Sequence, residues 1–158
     1  MEYLIYKSTA LVAPGSEACR DIVGVSQHNN ALLGLTGFLH AEDGLFIQYL
    51  EGPPRPIWTL YERLHVDPRH ENFVLLGKGE SRTPRFRGWR LGYSEINVVS
   101  FADFIVEVSG VQPGEQPPGL VAIMFLMAAC TRIDLGIADA PQSAWRRPPA
   151  ANVEPGGA

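Results

Sequence analysis

The sequence predicts an α+β domain of the ferredoxin-like type, β-α-β-β-α-β with a fifth strand and C-terminal helices packed on the sheet. Three observations carry that expectation. Short runs rich in Tyr, Ile, Leu and Phe alternate in polarity near residues 2–8, 35–41, 44–52, 72–78 and 89–93. Amphipathic stretches follow the first and third of these runs. An Asp43-Gly44 pair separates the second from the third, which is a strong hairpin signal.

Taken in order, Glu2 to Ser8 sets Tyr3, Ile5 and Lys7 against Leu4, Tyr6 and Ser8, as a strand does. Pro14-Gly15 breaks the chain, and Ser16-Glu17 reads as a helix start. That helix is expected to reach about Asn30, with Cys19, Ile22, Val23 and Ser26 on its inner stripe. Leu35 to Ala41 and Gly44 to Gly52 form the hairpin. In the latter, Leu45, Ile47 and Tyr49 face one way and Phe46, Gln48 and Leu50 the other. Both faces are apolar, so this strand is expected at the centre, covered on both sides. Pro53-Pro54 stops it, and Pro56 suits the first turn of a second helix. Ile57, Leu60, Tyr61 and Leu64 give that helix its apolar side, and Asp67-Pro68 ends it. Asn72 to Lys78 and Trp89 to Tyr93 are the expected fourth and fifth strands.

The division expected is 1–97 for this domain, 98–133 for a helical extension, and 134–158 for a disordered tail. Ser100 to Ser109 has helical spacing, and Gly110 to Gly119 reads as a linker. Leu120 to Arg132 is apolar all round, which on a helix means burial or a partner. The tail of Ala, Pro, Gly and Arg lacks periodicity and cannot offset its own entropy.

Composition bounds the function. The chain of 158 residues carries 13 basic and 17 acidic side chains, a net charge of −4 that argues against nucleic acid. The cluster Arg82, Arg85, Arg87, Arg90 reads as a solvated loop. Cys19 and Cys130 form neither metal-ligand spacing nor a disulfide framework. No signal peptide is evident, and Leu120 to Cys130 falls short of the ~20 residues that span a bilayer. The expected setting is cytoplasmic, with no membrane partner.

Gln48 is the residue out of place, an amide on an apolar strand face that needs partners. In this fold the first and third strands are neighbours, so Tyr6 and Gln48 could meet on the helix-covered face. Asn29-Asn30 would place two amides at the end of the first helix, with Ile22 and Phe46 as apolar walls. Asp67, Arg69 and His70 would add a charged cluster at the end of the second helix. Together these outline a slot for a planar cofactor. Taken singly, each residue has a plainer reading: Tyr6 and Trp89 as core, Asn30 as a helix C-terminal residue in the left-handed conformation, Arg69 and His70 as a charged helix end.

Five segments, in order and at the right spacing over residues 1 to about 95, closely resemble the BLUF family of blue-light sensors that use a flavin. They are Leu4-Ile5-Tyr6-Lys7-Ser8, Ser26-Gln27-His28-Asn29-Asn30 through Leu35-Thr36-Gly37, Asp43-Gly44 through Leu50-Glu51-Gly52, Asp67-Pro68-Arg69-His70, and Arg85-Phe86-Arg87-Gly88-Trp89. The resemblance implies FAD as cofactor, with FMN and riboflavin left open. It implies that Tyr6 is the photoactive donor and Gln48 the bridge between that tyrosine and the flavin ring. Asn30 would bond the pyrimidine edge, while Ile22, Asn29, Phe46, Asp67, Arg69 and His70 would line the ring or its side chain. Trp89 matches a tryptophan that many members carry in the fifth strand. Leu91 departs from the pattern, since the family usually has methionine there; a thioether accepts a weak hydrogen bond and slides within a packed site, and leucine does neither.

No cyclase or phosphodiesterase motif follows, and residues 98–158 are too few for such a domain. The expectation is therefore not an enzyme but a sensor that signals to a separate protein effector. The C-terminal helices would cover the sheet face away from the flavin, with dimerisation or effector docking through 120–132 as the alternative. Two rival classes stand beside it: a flavin-free interaction module and an acylphosphatase-like enzyme. The second needs an anion-cradling loop after the first strand, which Ser8-Thr9-Ala10-Leu11-Val12 does not offer.

Overall fold

The alternating runs pair into one five-stranded sheet of order β4-β1-β3-β2-β5. A computed structural model describes residues 1–112 and 115–138. Its elements run β1 (Glu2–Ala10), α1 (Glu17–Leu33), β2 (Thr36–Glu42), β3 (Leu45–Gly52), α2 (Pro54–His65), β4 (His70–Glu80), β5 (Gly92–Glu95), α3 (Phe101–Ser109) and α4 (Gly119–Asp134). Antiparallel pairing joins β1 to β3 and β4, and β2 to β3; β5 lies parallel to β2. The fold is α+β and ferredoxin-like at its centre. The stretch 139–158, most of the expected tail, lies outside the described residues.

Side-chain alternation divides the core into two layers. Leu4, Tyr6, Phe46 and Leu50 face α1 and α2, where they pack with Cys19, Val23 and Ile57. Ile5, Ile47 and Tyr49 face α3 and α4, where they meet Phe101, Ile105, Phe125 and Leu126. The two cysteines are buried in opposite layers. α4 is not buried all round: Ala122, Phe125, Leu126 and Ala129 face inward, while Leu120, Met124 and Met127 are exposed.

Local signals account for the element ends, with two departures. Ser16 caps α1 by accepting from the Cys19 amide at 3.2 Å. The helix runs past Asn30 to Leu33, and Gly34 takes the left-handed turn at φ 68°. Asn30 is therefore not the helix terminus; its side chain points inward and is buried. The expected fifth strand at Trp89 to Tyr93 is also displaced, since β5 begins only at Gly92. Parallel pairing with β2 starts at Phe38↔Gly92, and a Cβ on Gly92 would lie 2.3 Å from the Phe38 ring.

Buried carboxylates fix the loops around this sheet. Glu51 accepts from the Arg85 and Phe86 amides at 2.9 and 2.8 Å. Arg85 also donates to the Tyr49 hydroxyl at 2.7 Å and lies over the Tyr3 ring, so it is not simply a solvated loop residue. On β2, His40 Nε2 meets the Glu42 carboxylate at 2.9 Å. Glu42 also accepts from the Ser100 hydroxyl at 2.9 Å and the Phe101 amide at 2.6 Å, which holds the start of α3. Burial alone would raise the Glu42 pKa, but the bonds from His40, Phe101 and Ser100 outweigh it and lower it to about 2. The stability contributed by ionised Glu42 is thus whole above the ordinary 4.5 and lost as pH falls toward 2. Urea melts across that window should show the native protein losing stability relative to Glu42→Gln; parallel acid profiles would contradict the assignment.

Candidate functional site

Pairing register brings the two key residues together: Tyr6 on β1 lies directly opposite Gln48 on β3. Both project toward α1 and α2, and the Tyr6 hydroxyl donates to Gln48 Oε1. Tyr6 is also stacked on Phe73, with ring centroids 4.4 Å apart. Burial pushes the phenol well above its usual pKa, the Asp67 charge adds to this, and Arg69 opposes it. Tyr6 is therefore a neutral donor that cannot shed its proton to solvent.

Tyr6 and Gln48 line a narrow cleft, open to solvent, whose internal volume is about 30 Å3. Ile22 and Ser26 of α1, Leu39 of β2, Phe46 of β3 and Leu64 of α2 line its sides. Asp67, Arg69 and His70 complete it at the end of α2. Arg69 Nε reaches both Asp67 carboxylate oxygens, at 2.9 and 3.1 Å. That side-chain bond is the main reason the Asp67 carboxyl sits below the usual range. His70 uses both ring nitrogens within the protein, at 2.7 Å from Ser8 Oγ and 2.7 Å from the Leu64 carbonyl. It can offer a ring face to a ligand but no ring hydrogen bond.

Seven of the residues singled out from sequence thus share one cavity: Tyr6, Ile22, Phe46, Gln48, Asp67, Arg69 and His70. The other four lie elsewhere. Asn30 donates to the Arg90 carbonyl at 2.7 Å. Asn29 borders a second hollow farther along the same α1–α2 groove, with Thr59, Leu60 and Arg63. Leu91 is buried in the α1–α2 layer, its carbonyl held by Gln27 Nε2 at 2.8 Å. Trp89 lies in the other layer, its ring 5.8 Å from that of Phe38. Sequence reasoning did not name Ser26, Leu39 and Leu64 as cavity walls, nor Arg63 beside Asn29. Ser26 could have been found from its i+4 spacing to Ile22, and Leu39 from its register opposite Gln48.

The polar groups present suit a planar heteroaromatic ligand, which the cleft must widen to admit. Gln48 is 5% exposed, and among the described residues its amide nitrogen has no partner. The Asn30 side-chain oxygen, in a residue 1% exposed, likewise has none there. Buried amides with open hydrogen-bonding capacity call for a ligand bearing ring carbonyls and N–H groups. Apolar walls at Ile22, Leu39, Phe46 and Leu64 suit the faces of such a ring.

Fold and site together define a ferredoxin-like domain in which a tyrosine–amide pair faces a cleft between two helices. The family model described as BLUF, sensors of blue-light using FAD, matches residues 1–92, and the chain belongs to this family. It is 27% identical over 85 residues to the photoactivated adenylate cyclase subunit alpha of Euglena gracilis. That match covers 54% of the chain but only 8% of the cyclase subunit, so the chain spans a small part of that relative's length. Among solved structures, the dark state of BlrB, a BLUF protein, superposes with a TM-score of 0.66 at 22% identity, covering 82% of this chain and 96% of BlrB. The photo-activated state of BlsA gives 0.61 at 23% identity, covering 79% and 91%. These last two likenesses speak to the fold. The family's description is of blue-light sensing with FAD.

Proposed function

We propose that this protein is a blue-light photoreceptor that holds FAD between α1 and α2 and signals by switching the hydrogen bonds of Gln48. The single observation that carries the reading is the Tyr6 hydroxyl on the Gln48 amide, with the remainder of that amide open inside an apolar cavity. A bound flavin supplies blue-light absorption and a strong one-electron oxidant. Tyr6 gives up the electron in this reading, and among the described residues its proton's hydrogen-bond partner is Gln48. The amide has a donor end and an acceptor end, so its rotation or tautomerisation reverses the local bonds without moving the backbone. That provides two discrete states for a switch.

Asn30 and Asn29 address the polar edge of the ring in this reading, with Arg63 beside Asn29 as a further donor. Ile22 and Phe46 supply the walls, and Asp67, Arg69 and His70 meet the ring or its side chain. FAD is preferred on the family description; FMN or riboflavin would satisfy the same ring contacts. The protein acts as a sensor rather than an enzyme and passes its signal to a separate protein effector. A cytoplasmic setting belongs to this reading. Among the described residues no helix is long and apolar enough to cross a membrane.

Absorption spectra of purified protein before and after blue illumination test the reading. The expected result is a yellow protein whose band moves reversibly to the red. A colourless protein that rejects added flavin would sink it. Leu91 supplies a second measurement. Leu91→Met restores a thioether beside the site; it should leave the red shift in place and change the rate of dark recovery. Identical recovery in the two proteins would refute a role for this departure.

A further inference from the structure

We propose that His40 and Glu42 are the positioning residues through which the light state reaches the C-terminal helices. This rests on the photoreceptor reading above. His40 is fully buried, and it stands on β2 beside Leu39, a wall of the flavin cavity. The two side chains point to opposite faces of the sheet, as alternation requires. Leu39 is in register with Gln48 on β3 and with Tyr93 on β5. One residue on, His40 is in register with Ser94.

The imidazole joins four elements. Its Nδ1 lies 2.8 Å from Ser94 Oγ on β5, and its Nε2 lies 2.9 Å from the Glu42 carboxylate. Glu42 holds the Ser100 hydroxyl and the Phe101 amide, which begin α3. The ring edge meets Phe125 of α4 at a centroid distance of 4.7 Å and an angle of 84°. Phe125 in turn packs on Phe101 and Phe104 of α3.

With Glu42 ionised, Nε2 carries the hydrogen of the His40–Glu42 bond, and a neutral ring has Nδ1 free to accept from Ser94. The ring then depends on β5 at one nitrogen and on the start of α3 at the other. A shift of β5 relative to β2 stretches the Ser94 bond and turns the ring. Turning the ring loads the Glu42 bond and the Phe125 contact together. A buried histidine with both nitrogens engaged can neither rotate freely nor be replaced by water, so the displacement is passed on. β5 is also the strand that follows Leu91, whose carbonyl Gln27 holds from the flavin side.

The test is amide hydrogen exchange of the flavin-loaded protein in darkness and under continuous blue light, read by mass spectrometry over residues 98–110. Native protein should show a light-dependent change there. Ser94→Ala, which cuts only the link to β5, should keep the red shift and near-native dark exchange but lose that change. His40→Phe keeps an aromatic ring against Phe125 but also removes the Glu42 bond, so it should raise dark exchange over 98–110 as well as lose the light-dependent change. A purely structural role would instead alter dark exchange and leave the light-induced increment intact, which overturns the proposal. So would native protein that red-shifts without any light-dependent exchange at 98–110; in that case the photoreceptor reading stands and the coupling fails. Native protein without a red shift would overturn both.

Discussion

Tyr6→Phe should leave the flavin bound and abolish the light-induced red shift entirely. The ring that stacks on Phe73 at 4.4 Å is kept, so packing is preserved. What disappears is the O–H that bonds Gln48. Leaving the buried Gln48 oxygen without this donor costs about 1–3 kcal/mol of stability, too little to unfold a domain whose core is otherwise intact. Gln48→Leu removes the other half of the pair and should give the same spectrum, yellow and unresponsive. Both variants separate switching from flavin binding, because neither residue is needed for the apolar walls that grip the ring. Absorption difference spectra under blue light decide the matter; a normal reversible shift in either variant would refute the switch.

Phe125→Ala is expected to be the most damaging substitution outside the site. Phe125 has no exposure, and its ring contacts those of Phe101, Phe104 and His40 at centroid distances of 4.9, 5.4 and 4.7 Å. Large-to-small changes at such positions cost about 3–5 kcal/mol, through lost transfer energy and the cavity left behind. The damage should fall on the α3–α4 layer first, since the α1–α2 layer packs on the other face of the sheet. Urea denaturation followed by circular dichroism measures the loss. A cost within about 0.5 kcal/mol, typical of surface sites, would mean that α4 is not packed on the sheet as described.

Much of the architecture is readable from the chain because its signals are local. Asp43 and Gly44 both take positive φ, 42° and 78°, as an Asp-Gly hairpin turn needs. Alternation along Glu2–Ser8 and Leu45–Gly52 correctly assigns each side chain to its layer. The pairing of Tyr6 with Gln48 follows from neighbouring strands alone. What local pattern does not give is anything set by a distant partner. Trp89 and Leu91 would share a face if 89–93 were extended; the chain becomes a strand only at Gly92, and the two side chains enter opposite layers. Asn30 looked like a helix end because asparagine tolerates one, yet Gly34 takes that role and frees Asn30 to point inward. The bonds of His40 come from Glu42, Ser94 and a contact with Phe125, the last two far along the chain, so no window of sequence around β2 reveals them.

The sheet is unequal in stiffness. β1 carries nine residues and is flanked on both sides, whereas β5 has four and a single neighbour. Fluctuations therefore concentrate at that edge, where few backbone bonds must give way. On the proposed photoreceptor reading, a photon absorbed at one face would be converted into motion only where the scaffold yields. Here the short edge strand borders both layers, so in that reading the rigid centre would keep the chromophore aligned while the rim moves.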